Sequence, residues 1–204
     1  NPSTVSSVLD IDKYCHLEGF AYRFLPVKAN NYIENVGGIN ADRAYDVLVN
    51  KCKWGNLANP DVYVDRDSYN MGLVSRNHFA RLSNALTNLG KKDSAVKVLD
   101  FCNQVLPQEK MPHDVYSLAF VQSYYIANAF EKGNIISDHI ADYYDKYLEY
   151  YYSLDKKRIQ FVKSDMQQAL AILQRLIQLA NEFEQKKQSE KLTLLLNKYL
   201  KYEN

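Results

Sequence analysis

The sequence lacks an excess of charge of either sign, since 25 basic residues face 24 acidic ones in a chain of 204 residues. A balanced surface provides no overall field that attracts nucleic acid, so we expect no nucleic-acid partner. The sequence also lacks an apolar run long enough to cross a bilayer, and we expect no direct membrane insertion by this segment. It begins with Asn1 rather than methionine and shows no signal peptide, which favours an excised part of a longer protein.

The motifs of common metal, nucleotide and hydrolase sites are also missing. The histidines show no H-E-x-x-H spacing, and there is no Walker loop, G-x-G-x-x-G turn or G-x-S-x-G elbow. Asp61, Asp65 and Asp67 lack the glycine and the closing glutamate of a calcium loop. We therefore predict no metal, no cofactor and no enzymatic activity in this chain. A stand-alone hydrolase with an unrecognised site is the least favoured alternative.

Cysteine is scarce and irregularly spaced. Cys15, Cys52 and Cys102 form no C-x-x-C pair, which disfavours a zinc ribbon or a thioredoxin motif. Buried free thiols are the favoured interpretation, because free cysteine packs as a small apolar residue. One disulfide with a spare thiol stays open for a chain that works outside the cytoplasm.

The residues that are present predict a mainly α-helical fold. Apolar residues make up 47% and charged residues 24% of the sequence, as in an ordinary globular domain. We interpret residues 1–39 as an N-terminal extended segment with a short strand, packed on a helical domain over residues 40–204. Pro26 limits this strand to a sheet edge. From about Asp67 onward, apolar residues recur at helical spacing almost continuously.

A tetratricopeptide-like repeat is predicted over residues 79–107. Phe79 and Leu82 begin an apolar stripe that stops at Gly90, a favourable residue at the end of a helix. Ala95 then provides the small residue that is needed where two antiparallel helices cross closely. One repeat cannot bury its own apolar face, so we expect neighbouring helices to cover it in an antiparallel helical array.

The following helices fit the repeat less well. We place the next turn at Gly133, and Asp138 then occupies the position where the pattern requires alanine. Ser164 and Gln167 predict a capping box before the next helix. The array is therefore expected to be compact and irregular rather than a long solenoid.

Six segments of the chain together resemble one protein family. They are LEGFAYRF (17–24), KWGN (53–56), DVYVD (61–65), RNHFARL (76–82), GKKDSA (90–95) and QQALAILQRL (167–176). The chain looks like the C-terminal soluble part of a Bacteroidetes family of multi-spanning membrane proteins of unknown function. The membrane part of that family resembles protein O-mannosyltransferases.

The resemblance implies a periplasmic module attached to a membrane glycosyltransferase-like domain. No catalytic residue of the family falls on this chain, because such residues are expected in the membrane-proximal loops. The implied role is protein interaction or structural support, with a protein, a peptide or the membrane portion of the same polypeptide as partner. The alternative is a domain that binds the acceptor peptide or glycan and assists the transferase.

Candidate binding residues are aromatic residues and arginines expected at the surface of the helical array. Trp54 lies in a loop, where it either contacts a sugar or peptide or covers the junction between the N-terminal segment and the helices; the second role is favoured. The acidic residues at positions 138, 142, 145 and 149 are interpreted as a solvated helix face rather than a metal site. The complete set of candidate residues is Trp54, Arg76, Arg81, Tyr124, Tyr125, Tyr144 and Tyr147.

Overall fold

The chain forms a small sheet followed by seven α-helices within residues 11–201, which a computed structural model describes except for the side chain of Lys156. The predicted mainly α-helical class is confirmed. The ends of the two predicted segments, residues 1–10 and 202–204, lie outside the described residues. The chain divides into two units, Asn1–Met111 and Pro112–Asn204, so the predicted boundary after residue 39 falls inside the first unit.

The first unit begins with a three-stranded sheet in the order β2-β1-β3. Strand β1 (Cys15–Glu18) pairs antiparallel with β2 (Ala21–Phe24) and parallel with β3 (Gly38–Ile39). The β1–β2 turn needs only two residues, because Gly19 adopts a φ of +85° that costs glycine little. Strand β2 is an edge strand, as predicted, and it ends before Pro26.

A short helical segment connects the sheet to the main helices of this unit. Asn40 begins helix α1 (Ala41–Tyr45), as predicted, and its side chain accepts a hydrogen bond from the backbone amide of Arg43 at 3.2 Å. The helix widens into a π-helical turn over Asp46–Lys51. The sheet and this segment both pack on the next helix.

Helices α2 (Arg66–Asn88) and α3 (Lys92–Val105) form a helical hairpin. The carboxylate of Asp65 begins α2 by accepting hydrogen bonds from the amides of Asp67 at 2.9 Å and Ser68 at 3.1 Å. Most residues of the predicted apolar stripes are buried between the helices. These buried residues are Phe79, Leu82, Leu86, Ala95, Leu99, Cys102 and Leu106.

The second unit contains two further helical hairpins after a 3₁₀ turn at Val115–Ser117. Helix α4 (Leu118–Ile126) packs with α5 (Phe130–Tyr152), and α6 (Lys156–Glu182) packs with α7 (Lys186–Leu200). Helix α5 also packs on α6, so each helix buries its apolar face against its neighbours along the chain.

All three hairpins of the described chain close through the same three-residue turn, whose middle residue is left-handed. The angle φ is 76° at Gly90, 66° at Asn128 and 58° at Glu184. In each turn the next amide donates to a carbonyl five residues earlier, which defines a Schellman motif. The donor and acceptor pairs are Lys91 and Leu86 at 2.9 Å, Ala129 and Tyr124 at 2.9 Å, and Gln185 and Ala180 at 2.7 Å.

The predicted turn at Gly133 is wrong, because the chain turns at Asn128 and Gly133 lies inside α5. Gly133 follows its turn residue by the same number of positions as Ala95 follows Gly90. A Cβ atom at Gly133 would lie 2.5 Å from the ring of Tyr125, so the close approach of α4 and α5 requires glycine. The requirement for a small residue is therefore met at Gly133 and does not fall on residue 138.

The predicted capping box at Ser164 and Gln167 is also wrong, since both residues lie inside α6. The helix begins at Asp155, whose carboxylate accepts hydrogen bonds at 3.0 Å from the amides two and three residues further on. The first turns of α6 expose Phe161, at 81%, so the buried apolar period starts later than the helix itself. The apolar pattern of the sequence therefore indicated where the buried part of α6 begins, and not where the helix itself begins.

Candidate functional site

Burial separates the seven candidate binding residues into two groups. Three of them, at 0–1% exposure, are buried: Arg76, Tyr124 and Tyr125. The other four reach the surface in part: Trp54, Arg81, Tyr144 and Tyr147. The expectation of a surface position is therefore wrong for the first group.

Arg76 holds the end of the first unit together. Its guanidinium donates hydrogen bonds to the carbonyl of Leu106, at 3.2 Å, and to the carbonyl of Met111. Both acceptors follow α3, so the side chain ties α2 to the segment beyond the hairpin. The 3.6-residue period places Arg76 on the buried face of α2 with Phe79 and Ser83, and its length lets it reach carbonyls there.

Tyr124 and Tyr125 belong to the core of the second unit. The hydroxyl of Tyr125 donates to the side-chain oxygen of Asn134 at 2.5 Å, and its ring lies 5.3 Å from that of Phe183. Burial, followed by the nearby carboxylate of Asp138, raises the pKa of Tyr125 to about 12, so its hydroxyl stays protonated at neutral pH. Neither tyrosine is available to a partner in this structure.

Arg81 lies in a cleft of the first unit that we call the Arg81 cleft, with a volume of about 830 Å³. One wall is the β1–β2 turn and strand β2, a second is the loop before β3, and a third is α2. The lining residues are Phe20, Tyr22, Asn35, Val36, Asn77, His78 and Arg81. The described lining contains an arginine and no carboxylate, so the cleft favours a negatively charged or polar ligand.

The guanidinium of Arg81 is oriented by neutral oxygens. It donates to the hydroxyl of Tyr22 and, more weakly, to the carbonyls of Gly37 at 3.4 Å and Gly38 at 3.5 Å. Its central carbon also lies 5.6 Å from the centre of the Tyr22 ring, a cation–π distance. These contacts hold the arginine in place without neutralising its charge.

The edge of the cleft carries apolar and aromatic groups. Phe20 is 40% exposed at the tip of the β1–β2 turn, and Val36 is 36% exposed in the loop before β3. The ring of Phe20 lies 5.4 Å from that of His78 in an edge-to-face arrangement. The cleft thus combines a fixed positive charge with an exposed aromatic ring.

His78 is neutral at physiological pH. Burial lowers its pKa below the ordinary value; the hydrogen bond to the Val74 carbonyl raises the pKa in part, and the charge of Arg81 adds a smaller lowering effect. The ring atom Nδ1 lies 3.3 Å from that carbonyl, which can only accept, so Nδ1 carries the proton. Nε2 is then the hydrogen-bond acceptor of the ring.

Trp54 covers the junction between the sheet and the helices. Its ring lies 5.8 Å from Phe20 and 5.4 Å from Phe79, and Nε1 donates to the carbonyl of Leu48 at 3.3 Å. The structural role favoured from the sequence therefore agrees with these contacts. One side of Trp54 also lines a separate apolar groove of about 530 Å³, next to the 87% exposed Tyr63.

Tyr144 and Tyr147 meet in the second unit with two tyrosines that the candidate set omitted, Tyr143 and Tyr151. Together with residues of α6 they line a small cavity of about 160 Å³. The hydroxyl of Tyr143 donates to that of Tyr147 at 3.1 Å, and the hydroxyl of Tyr144 accepts from the amide of Val115 at 3.2 Å. The i, i+4 and i+8 spacing of Tyr143, Tyr147 and Tyr151 along α5, with Tyr144 three residues before Tyr147, was the available signal for this grouping.

The acidic face of α5 is largely paired with lysines of α7. Lys198 contacts Asp145 at 3.0 Å and Glu149 at 2.7 Å, and Lys191 contacts Asp138 at 2.8 Å. Within residues 11–201, no three histidine, cysteine or acidic side chains lie close enough together to hold a metal ion. The three cysteines are free thiols, and burial raises the pKa of Cys102 far above its usual range.

None of the helices in the described part of the chain combines the length and apolar character needed to cross a membrane. No protein-family model, curated protein or solved structure matches the sequence or the fold.

Proposed function

We propose that this chain is a non-catalytic helical module that binds a protein or peptide partner through the Arg81 cleft. The observation that carries the proposal is the guanidinium of Arg81, which neutral oxygens orient and which forms no ion pair within residues 11–201, beside the exposed ring of Phe20. Such a pair recognises a carboxylate next to an apolar side chain, because the planar guanidinium matches carboxylate geometry and the ring covers the neighbouring group.

The composition of the cleft favours binding over catalysis. Among the described lining residues, only His78 has an ordinary pKa near neutrality, and its Nδ1 proton is directed at a backbone carbonyl. No serine, cysteine or carboxylate lines the described cleft as a nucleophile or second acid–base group. The proposed module therefore recognises a ligand without transforming it.

The proposal includes a tetratricopeptide-like organisation of the three hairpins. The support for this organisation is that buried residues of the same kind lie at equal distances along the chain after each of the three turn residues. Small residues lie five positions after the turn: Ala95, Gly133 and Ser189. Apolar residues lie eight positions after it, Val98, Ile136 and Leu192, and twelve positions after it, Cys102, Ile140 and Leu196.

The resemblance to the C-terminal part of Bacteroidetes membrane proteins extends the proposal to a cellular context. The module would act on the periplasmic side of the inner membrane, attached to a glycosyltransferase-like membrane domain. It would recruit a partner for that domain or support the domain structurally.

A second candidate function, binding of the acceptor glycan, is favoured by the two amide side chains in the same cleft. Asn35 and Asn77 stand near the exposed ring of Phe20. Aromatic rings and amides are suited to the apolar faces and hydroxyl groups of sugars.

Selection from a random peptide library with the immobilised chain tests the first proposal. We expect enrichment of peptides that place a carboxylate beside an aromatic or aliphatic residue. The variant Asn77→Glu puts a carboxylate one helical turn from Arg81, where it can pair with the guanidinium and block an acidic ligand while Arg81 keeps its other contacts. Arg66→Gln removes an exposed arginine from the same helix and is the matched control.

Loss of the enriched peptides with Asn77→Glu but not with Arg66→Gln supports the proposal. Enrichment that both variants leave unchanged places binding outside the cleft and contradicts it. A glycan array probed in parallel tests the second candidate, since a neutral glycan should lose affinity with Phe20→Ala. Deleting the module from the full-length protein then distinguishes recruitment, where glycan transfer survives, from direct assistance, where transfer stops.

A further inference from the structure

We propose that the tyrosine cavity between α5 and α6 binds the headgroup of an organic ammonium ion. The cavity, which we call the tyrosine cage, is lined by Tyr143, Tyr144, Tyr147 and Tyr151 of α5 and by Asp165, Gln168 and Ala169 of α6. This proposal does not depend on the Arg81 cleft, because every lining residue belongs to the second unit.

The rings of the cage form walls in different planes. Tyr143 and Tyr144 lie 5.1 Å apart at 82°, and Tyr147 and Tyr151 lie 5.8 Å apart at 73°. Tyr143 and Tyr147 are closer to parallel, at 4.7 Å and 32°. Rings at right angles surround a compact rounded group, whereas a sugar ring needs a flat stacking surface.

The charge around the cage is negative. The carboxylate of Asp165 lines the cavity, and no lysine or arginine is among its described lining residues. Asp165 lies close enough to Tyr151, and Asp114 close enough to Tyr144, to raise the pKa of each tyrosine in addition to the larger effect of burial. The hydroxyls of Tyr144 and Tyr151 therefore stay neutral, and the field of the two carboxylates and the faces of the rings attract a cation.

The size and the ligand set determine which cation fits. A volume of about 160 Å³ holds a headgroup rather than a whole drug-sized ligand, whose pockets start at roughly 300 Å³. A calcium ion requires at least about six oxygen ligands, and one lining carboxylate with tyrosine hydroxyls does not provide that set. A weakly hydrated alkylammonium needs mainly aromatic faces and one opposite charge, which the cage provides.

Choline titrated into the full 204-residue chain, with its neutral carbon analogue 3,3-dimethylbutan-1-ol as the comparison, tests the assignment. The two molecules share shape and hydroxyl group, so a difference in affinity measures the contribution of the positive charge. Saturation-transfer NMR on the methyl signal of choline measures the binding. We expect choline to bind saturably and at least about fivefold more tightly than the analogue.

Two variants, each with a control variant of its own, locate the binding site on the cage. Tyr147→Leu removes a wall that is already 42% exposed and should abolish binding, whereas Tyr150→Leu removes a 62% exposed ring of the same helix outside the cage and should not. Asp165→Asn should weaken choline by about three- to tenfold and leave the analogue unchanged, with Asp142→Asn as its control. A thermal unfolding midpoint for each variant checks that the fold is kept.

Equal affinity for choline and its analogue, an absence of choline binding, or binding that Tyr150→Leu reduces as much as Tyr147→Leu would each overturn the proposal. If binding has the expected pattern, a second titration identifies the source of the headgroup. Tighter binding of a peptide containing trimethyllysine indicates a protein side chain, and tighter binding of choline or tetramethylammonium indicates a small molecule.

Discussion

The α2–α3 hairpin of the first unit and the two hairpins of the second unit close with the same turn, built on three different residues. Gly90, Asn128 and Glu184 all adopt positive φ, and each turn makes the same pair of backbone hydrogen bonds. The left-handed conformation costs glycine almost nothing, asparagine little, and glutamate about 1–2 kcal/mol. Helix packing and backbone hydrogen bonds therefore impose the turn, and the residue at its centre only changes its energy.

At the position five residues after each turn residue, which we call the close-approach position, the packing of the helices limits which residue can be present. It is alanine in the first hairpin, glycine in the second and serine in the third, at Ala95, Gly133 and Ser189. At Gly133 the large ring of Tyr125 on the facing helix takes the space that a methyl group would need. The residue at position 133 is thus determined by fit with one neighbour on the facing helix.

The largest expected effect is a loss of stability in the first unit when its buried arginine, Arg76, is replaced. Arg76→Met leaves the carbonyls of Leu106 and Met111 without their charged donor and should cost about 3 kcal/mol of unfolding free energy. Trp54 is the single tryptophan and belongs to the first unit, so its fluorescence during denaturant unfolding measures the change. Arg66→Met, at an exposed position of the same helix, should change the unfolding free energy by less than about 0.5 kcal/mol.

The next prediction tests the close-approach position directly. Gly133→Ala should destabilise the second unit by about 1–2 kcal/mol, because crowding against Tyr125 exceeds the gain in helix propensity. Far-UV circular dichroism during urea unfolding gives the value. Combining Gly133→Ala with Tyr125→Leu should cost less than the sum of the two single changes, whereas simple additivity would show that the two residues do not compete for space.

Exchanging the turn residues should produce smaller changes of opposite sign. Gly90→Ala should cost about 1 kcal/mol, because alanine adopts the left-handed conformation poorly. Glu184→Gly should stabilise the third hairpin by about 0.5 kcal/mol, the relief of strain less the higher entropy of glycine in the unfolded chain. Thermal unfolding of both variants measures these changes. Midpoints that shift in the same direction for the two variants would contradict this account.

The smallest expected effect is a dependence of stability on pH in the first unit. The pKa of His78 is lowered in the folded protein, so the unfolded chain binds a proton more readily than the folded chain does. The contribution of His78 is fully present above the ordinary value of 6.5 and is lost as pH falls from there towards the lowered pKa. Trp54-monitored unfolding from pH 7.5 to 5 should show this loss, and His78→Gln should reduce it.

The sequence pattern located the α2–α3 hairpin correctly because its turn and its apolar stripe both carry strong local signals. Gly90 is the residue that a left-handed turn favours most, and the stripe from Phe79 to Leu86 is regular. Asn128 and Glu184 were missed because asparagine and glutamate occur in many other settings. The second turn was predicted at Gly133, five residues after Asn128, because glycine is the residue most typical of such turns.

The candidate site was predictable only in part. Arg81 and Trp54 stood out in the sequence, but the Arg81 cleft also needs Phe20, Asn35 and Val36, which lie more than forty residues earlier. No local pattern predicts that a strand turn and a loop meet one face of a helix. Arg76, five residues before Arg81, was expected at the surface because arginine usually lies there, and the backbone carbonyls that bury it belong to residues thirty or more positions away.

The sequence by itself determined the helical class, the first hairpin and the lack of familiar catalytic motifs, because helical periodicity and helix-end residues act over one or two turns of chain. Only the tertiary structure decided which arginine is buried, which glycine meets a tyrosine and which tyrosines enclose a cavity. These outcomes depend on the distance between side chains far apart in sequence, and packing sets that distance only after the helices have formed.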